Sequence, residues 1–148
     1  MSKNSDSLIL IVDDNANNLK LLGSIFSVKG FKVGLATNGQ ECFDFLEKQI
    51  PDLIFLDIMM PDINGFDVCT RLKSTENTKL IPVIFISALS NPVQIVKAFE
   101  SGGVDYITKP FNKDEVLARA ILQIDNKNEK AAMLKTIQEL TEKINLQE

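Results

Sequence analysis

Apolar residues in this chain form short unbroken runs separated by longer stretches of helical spacing, and four of the runs stop at a reactive polar side chain. Leu8–Val12 ends at Asp13-Asp14, Leu53–Leu56 at Asp57, Val83–Ile86 at Ser87, and the Val104–Thr108 stretch at Lys109-Pro110. Runs of this length bounded by turn formers read as buried parallel strands, with buried helix as the competing reading. Between them, Asn15–Lys29 sets Leu19, Leu22, Ile25 and Phe26 at helical spacing before a stop at Gly30. A helix from about Asn38 to Lys48 turns Cys42, Phe45 and Leu46 inward, and Phe66–Leu72 makes a short one after the turn-rich Met60–Gly65 loop. Asn91-Pro92 opens another, a cap followed by proline at the first helical position, which closes at Gly102-Gly103. Phe31–Ala36 supplies the remaining strand, and Asn112-Lys113-Asp114-Glu115 has the form of a capping box.

Five strands thus alternate with five helices, which predicts an α/β fold with a doubly wound parallel sheet. Strand order does not follow from pattern alone. An order 2-1-3-4-5 would set the ends of the first and third strands side by side at the topological switch point, where such sheets bind ligands. Asp13, Asp14 and Asp57 would then converge.

The last helix carries no stop signal. From Asn112 to Glu148 there is no glycine or proline, and apolar positions continue at Leu117, Ile121 and Ile124, then at Met133, Ile137, Leu140 and Ile144. The second group has coiled-coil spacing, and polar Asp125–Lys130 separates it from the first. The expectation is a domain over residues 1–124 and an extended helix over 125–148, which links by coiled coil to an output domain beyond this sequence or pairs as a homodimer. A frayed polar tail is the plainer alternative.

Composition narrows the class. The 148 residues suit one domain with a substantial core, and 45% hydrophobic with 24% charged residues is ordinary for a globular protein. No apolar stretch approaches a membrane span, and polar Met1–Ser7 lacks the regions of a secretory signal. Cys42 and Cys69 make no disulfide framework and read as reduced, buried residues, so a cytoplasmic location is expected. A net charge of −4 with no basic run argues against direct nucleic-acid binding by the domain. The absence of histidine excludes a Ser-His-Asp triad or a His-based zinc site.

Three carboxylates at one sheet edge repel: at about 4 Å and an effective dielectric of about 20, each close pair costs on the order of 4 kcal/mol. A hard divalent cation relieves this, and Mg²⁺ takes one or two carboxylates together with a phosphoryl oxygen. Lys109 and Ser87 could meet further oxygens of the same group, and an aspartate can itself be the nucleophile, giving an aspartyl-phosphate.

On these residues the chain resembles a response-regulator receiver domain of two-component and phosphorelay signalling. The resemblance covers roughly residues 6–124 and rests on four fragments in order: Ile11-Val12-Asp13-Asp14-Asn15; Leu56-Asp57-Ile58-Met59-Met60-Pro61 through Asn64-Gly65; Ile86-Ser87-Ala88; and Tyr106-Ile107-Thr108-Lys109-Pro110-Phe111. It implies a flavodoxin-like sheet of order 2-1-3-4-5. Asp57 would be the phosphoacceptor. Asp13 and Asp14 would hold Mg²⁺ with Asp57, Asp14 directly and Asp13 through water, and Met59 would add its backbone carbonyl. Ser87 and Lys109 would bind the phosphoryl group, Ala88 would leave room beside it, and Lys109-Pro110 would be cis. Tyr106 would be the switch aromatic, moving with Ser87, and the fourth helix, fifth strand and fifth helix would be the readout face. The donor would be a sensor histidine kinase or a histidine phosphotransfer protein, since this chain has no histidine of its own. The rivals are a phosphatase or phosphotransferase with an aspartyl nucleophile, and an unphosphorylated interaction module that retains only the fold. Against the first, no acid follows Asp57 before Asp62.

Overall fold

In the computed structural model, which describes residues 6–147, strands and helices alternate as the sequence predicts. The first five residues and Glu148, ends of the two segments expected from the sequence, lie outside the described residues. The elements are β1 (Leu8–Val12), α1 (Ala16–Val28), β2 (Lys32–Ala36), α2 (Gly39–Lys48), β3 (Leu53–Leu56), α3 (Gly65–Lys73), β4 (Val83–Ser87), α4 (Pro92–Glu100), β5 (Asp105–Thr108) and α5 (Lys113–Gln147). All strand pairs are parallel and the order is β2-β1-β3-β4-β5. Two strands begin one residue later than expected, because Phe31 and Val104 belong to the turns that lead into β2 and β5.

The three central strands are buried on both faces, so their side chains divide by the two-residue period of a strand. Ile9, Ile11, Leu53, Phe55, Ile84 and Ile86 face α1 and α5, where Phe26 packs against Phe31 and Phe55. Leu10, Val12, Ile54, Leu56, Val83 and Phe85 face the layer of α2, α3 and α4. This leaves the carboxyl ends of β1, β3 and β4 as the place where the chain emerges from the core in polar residues.

Asparagine opens every helix. The side chains of Asn15, Asn38, Asn64, Asn91 and Asn112 each accept a hydrogen bond from the backbone N–H three residues on, at 2.8–3.1 Å. Such a cap satisfies one of the amides that a helix leaves unpaired at its start. The capping box expected at Asn112 is half made: Glu115 donates its N–H to Asn112, but its carboxylate turns to Arg119 at 3.8 Å.

α5 is one continuous helix through the polar Asp125–Lys130 stretch. Val116, Leu117, Ala120 and Ile124 pack into the core. The body's grip reaches slightly further, to Lys127, whose ammonium lies 3.0 Å from Asp52; the other Asp52 oxygen accepts the Leu8 N–H at 2.8 Å. Lys130, Ala131 and Leu134 still line a cavity of about 280 Å³ with Leu80, Pro82 and Val104, while Met133, Ile137, Leu140 and Ile144 are all more than half exposed. The twenty-one residues from Lys127 to Gln147 extend about 30 Å at the helical rise. No helix among the described residues is long and apolar enough to cross a membrane.

Candidate functional site

The register of the sheet assembles the acids. Val12 pairs with Leu56, so the residues that follow, Asp13 and Asp57, leave the sheet side by side. Asp57 donates its N–H to the Val12 carbonyl at 2.9 Å and Asp13 donates its own to Ala36 at 3.1 Å, which fixes both backbones. Asp13, Asp14 and Asp57 each present a carboxylate oxygen within 4.8 Å of the others.

Their surroundings differ. Asp13 is fully buried; its Oδ1 accepts the Asn15 N–H at 2.9 Å and its Oδ2 lies 2.8 Å from the Lys109 ammonium. Asp14 is exposed and makes no hydrogen bond or ion pair among the described residues. Asp57 is 6% exposed, with Oδ1 accepting the Ile58 N–H at 2.8 Å and Oδ2 facing Lys109 at 3.5 Å. Burial pushes the Asp57 carboxyl up to about 6; Lys109 and the Ile58 N–H oppose this, while the charges of Asp13 and Asp14 add to it. Burial thus disfavours the charged form of the acceptor candidate.

Lys109 reaches the cluster from the end of β5, where its N–H bonds the Ser87 carbonyl at 2.8 Å and the Lys109-Pro110 peptide is cis. Ser87, buried at the end of β4, accepts the Leu89 N–H on its hydroxyl at 3.2 Å. Tyr106, half-buried on β5, donates its hydroxyl to the Leu89 carbonyl. Burial raises the Tyr106 phenol above its ordinary range. Both groups predicted to switch are thus tied to the two sides of one residue, Leu89. Met59 lies beside the acids with its side chain 65% exposed, in an open groove of about 650 Å³ running from Asp14 past Met60 and Asn64 to Leu89 and Lys97. A larger groove between α3 and α4, about 740 Å³, contains none of the clustered acids.

Gly65 lets α3 start against Asp57. A Cβ there would meet the Asp57 carbonyl oxygen at 2.2 Å and the Ile58 Cα at 2.9 Å, and the Gly65 N–H bonds the Ile58 carbonyl at 2.8 Å.

Comparison with known proteins agrees with this geometry. Residues 9–121 match the response regulator receiver domain. The chain belongs to that family. It is 40% identical over 111 residues to the DNA-binding dual master transcriptional regulator RpaA of Synechocystis sp., covering 75% of this chain and 46% of that protein. It is 37% identical over 111 residues to the response regulator PleD of Caulobacter vibrioides, covering 75% of this chain and 24% of PleD. The chain therefore spans half or less of these relatives. Among solved structures, a BeF3-activated DrrB receiver domain superposes with a TM-score of 0.73 at 30% identity, over 80% of this chain and 97% of the other. The chain is a receiver domain of the two-component type, a signalling switch, with its acidic cluster in place.

Two contacts escaped the sequence reading. Asp62 reaches back to the first amides of α2, and Asp52 holds Lys127. Both partners lie far apart along the chain, and neither pair forms a local motif.

Proposed function

We propose that this receiver takes a phosphoryl group onto Asp57 from the phosphohistidine of a sensor kinase or histidine phosphotransfer protein, with Mg²⁺ bound at the acidic cluster. One observation carries the reading: a buried carboxylate with a raised pKa sits among two further acids and a lysine, all at the end of a rigid sheet. The donor set fits a hard cation, being oxygen only. Asp14 is free to ligate directly, whereas both oxygens of Asp13 are already engaged, which favours contact through water. Asp57 and the Met59 carbonyl complete the assignment. Bound there, the cation would neutralise the carboxylates and polarise a phosphoryl oxygen.

In the reaction an Asp57 carboxylate oxygen, Oδ2 being the more loosely held at 3.5 Å from Lys109, forms the new O–P bond while the P–N bond to the donor imidazole breaks, and the imidazole leaves with the bonding pair. Lys109 follows the charge: its ammonium needs to move little to leave Asp13 for a phosphoryl oxygen. Ser87 can donate its hydroxyl to another. The same site returns the group to water, so the domain assists its own dephosphorylation. If Ser87 turns toward the phosphoryl group, its hydroxyl gives up the Leu89 N–H, and Leu89 no longer fixes the Tyr106 hydroxyl. That transmits the new charge to the face of α4, β5 and α5.

The aspartyl-phosphatase rival is disfavoured by Asp62, whose two carboxylate oxygens are already taken up by the backbone N–H groups of Gly39, Gln40 and Ile63. The test is incubation with Mg²⁺ and acetyl phosphate, read by intact mass. One added phosphoryl group that hydroxylamine removes is expected; no addition, or a hydroxylamine-stable one, would sink the reading.

The domain over residues 1–124 acts in the cytoplasm, a location supported by two buried free thiols, and the acidic balance assigns it no direct nucleic-acid contact. The extension over 125–148 pairs with a second copy as a coiled coil and passes the switch to an output domain. Met133, Ile137, Leu140 and Ile144 follow each other at spacings of four, three and four, and all are more than half exposed. Sedimentation should give a dimer for the full chain and a monomer for Ile137→Lys, with phosphoryl uptake unchanged. A full chain that stays monomeric at the highest concentration reached would refute the pairing.

A further inference from the structure

We propose that Asp62 is a positioning residue that anchors the acceptor loop by capping the N-terminus of α2, so that cation binding at the acidic cluster and order at the start of α2 are coupled. This deepens the function proposed above and rests on it. Asp62 Oδ1 accepts the Gly39 N–H at 3.0 Å and the Ile63 N–H at 2.8 Å, and Oδ2 accepts the Gln40 N–H at 2.9 Å. The next amide of the helix, that of Glu41, goes to Asn38 at 2.8 Å. A helix start gathers unpaired N–H groups and partial positive charge, and a carboxylate answers both. These bonds hold the Asp62 carboxyl below the usual range although it is exposed.

The cap comes from the loop that begins at Asp57, not from the residues before the helix. An independent contact joins the same two segments: a Cβ on Gly39 would lie 2.0 Å from Ile63 Cγ2, so Ile63 seats on α2 in space only glycine leaves. The far end of the loop is fixed where Gly65 meets Asp57 and Ile58. Met59, Met60 and Pro61 are therefore strung between two anchored points, Asp57 and the Asp62-Ile63 pair. The Met59 carbonyl, assigned above to the metal, inherits its position from them. Asp62 touches no reacting atom; it acts through the loop. Coupling of this kind is reciprocal, so a bound cation must also steady the α2 amides.

Mg²⁺ titration by calorimetry and amide hydrogen exchange by NMR test this on the full chain. In wild type, Mg²⁺ should slow exchange at Gly39 and Gln40. Asp62→Ala should weaken Mg²⁺ binding about tenfold, the low end for partners beyond the direct ligands, and abolish that slowing. Asp62→Asn keeps one acceptor oxygen but sets an amide donor against the Gln40 N–H, and should fall between the two. Asn38→Ala removes the other cap of the same helix without touching the loop. It should lower the melting temperature as Asp62→Ala does, yet keep wild-type Mg²⁺ affinity. Unchanged Mg²⁺ affinity in Asp62→Ala, equal weakening in Asn38→Ala, or wild-type amides indifferent to Mg²⁺ would each overturn the inference alone. Wild type that neither binds Mg²⁺ nor takes up a phosphoryl group would overturn the reading of the site as well. Should Asp62→Ala fail to fold, the wild-type exchange and Asp62→Asn measurements still decide.

Discussion

Asp57→Asn is expected to take up no phosphoryl group from acetyl phosphate and, in metal-free buffer at neutral pH, to unfold at a higher temperature than wild type. The first half follows from removing the nucleophilic oxygen. The second follows from the environment of the carboxylate, which is buried beside two like charges and only loosely paired with Lys109 at 3.5 Å. Its pKa of about 6 in the folded protein, against an ordinary 3.8, means that the native state holds this proton more tightly than the unfolded chain does. Stability is therefore greatest when Asp57 is protonated, and it declines as pH rises through the interval between those two values. Above it, the ionised carboxylate costs on the order of 3 kcal/mol. Asparagine retains the shape and can still accept the Ile58 N–H, while Lys109 keeps its closer bond to Asp13. Thermal unfolding at a series of pH values with a chelator present should show the gap between variant and wild type closing as pH falls below the ordinary carboxylate range. Added Mg²⁺ should also narrow it, by stabilising wild type. A gap independent of pH, or equal phosphoryl uptake by both proteins, would contradict the account. On the proposed reading, Asp57 is a place where fold stability and function pull in opposite directions.

How much of this was legible in the sequence depends on what each residue sits next to. Asp13, Asp57, Ser87 and Lys109 stand out because each ends an apolar run, and a strand that is buried on both faces can shed a reactive side chain only at its tip. Asparagine before each helical stretch marks the element starts almost to the residue. Strand order is not encoded in this way. β1, β3 and β4 are apolar on both faces, so nothing in their pattern tells a neighbour from a stranger, and the order 2-1-3-4-5 came only through the family resemblance. Relations across the fold were also invisible. Asp62 looks like a turn residue until the start of α2, some 22 residues earlier, arrives beside it, and Asp52 and Lys127 are 75 positions apart. The division of labour among the acids is a further case. Adjacent in sequence and converging on the same cluster, Asp13 and Asp14 still differ in that one is fully buried with both oxygens engaged and the other is exposed.

Lys109→Met should destabilise the protein by about 3–5 kcal/mol near neutral pH, the range for stranding one partner of a buried ion pair. Methionine retains most of the aliphatic length, so the loss is one of charge. Asp13 has no exposure to water and would keep only the Asn15 N–H, its second oxygen losing the 2.8 Å contact with the ammonium. Asp57 would lose the strongest influence that holds its carboxyl down, and its pKa would move further above about 6. The rise at Asp57 means that the variant should recover stability on acidification, and at neutral pH fewer molecules would carry an ionised Asp57. A double-mutant cycle separates charge from packing. Asp13→Asn in the Lys109→Met background removes the stranded charge, and the double variant should be more stable than Lys109→Met alone, with a coupling in the upper part of the roughly 0.5–3 kcal/mol range found for residues in direct contact. Urea denaturation of the four proteins measures it. If the two substitutions simply add, Lys109 stabilises the fold by its packing, and the electrostatic balance assigned to the site fails. Strong coupling would instead mean that the lysine is held by Asp13 as a charge in waiting, close enough to Asp57 to be claimed by any anion that forms there.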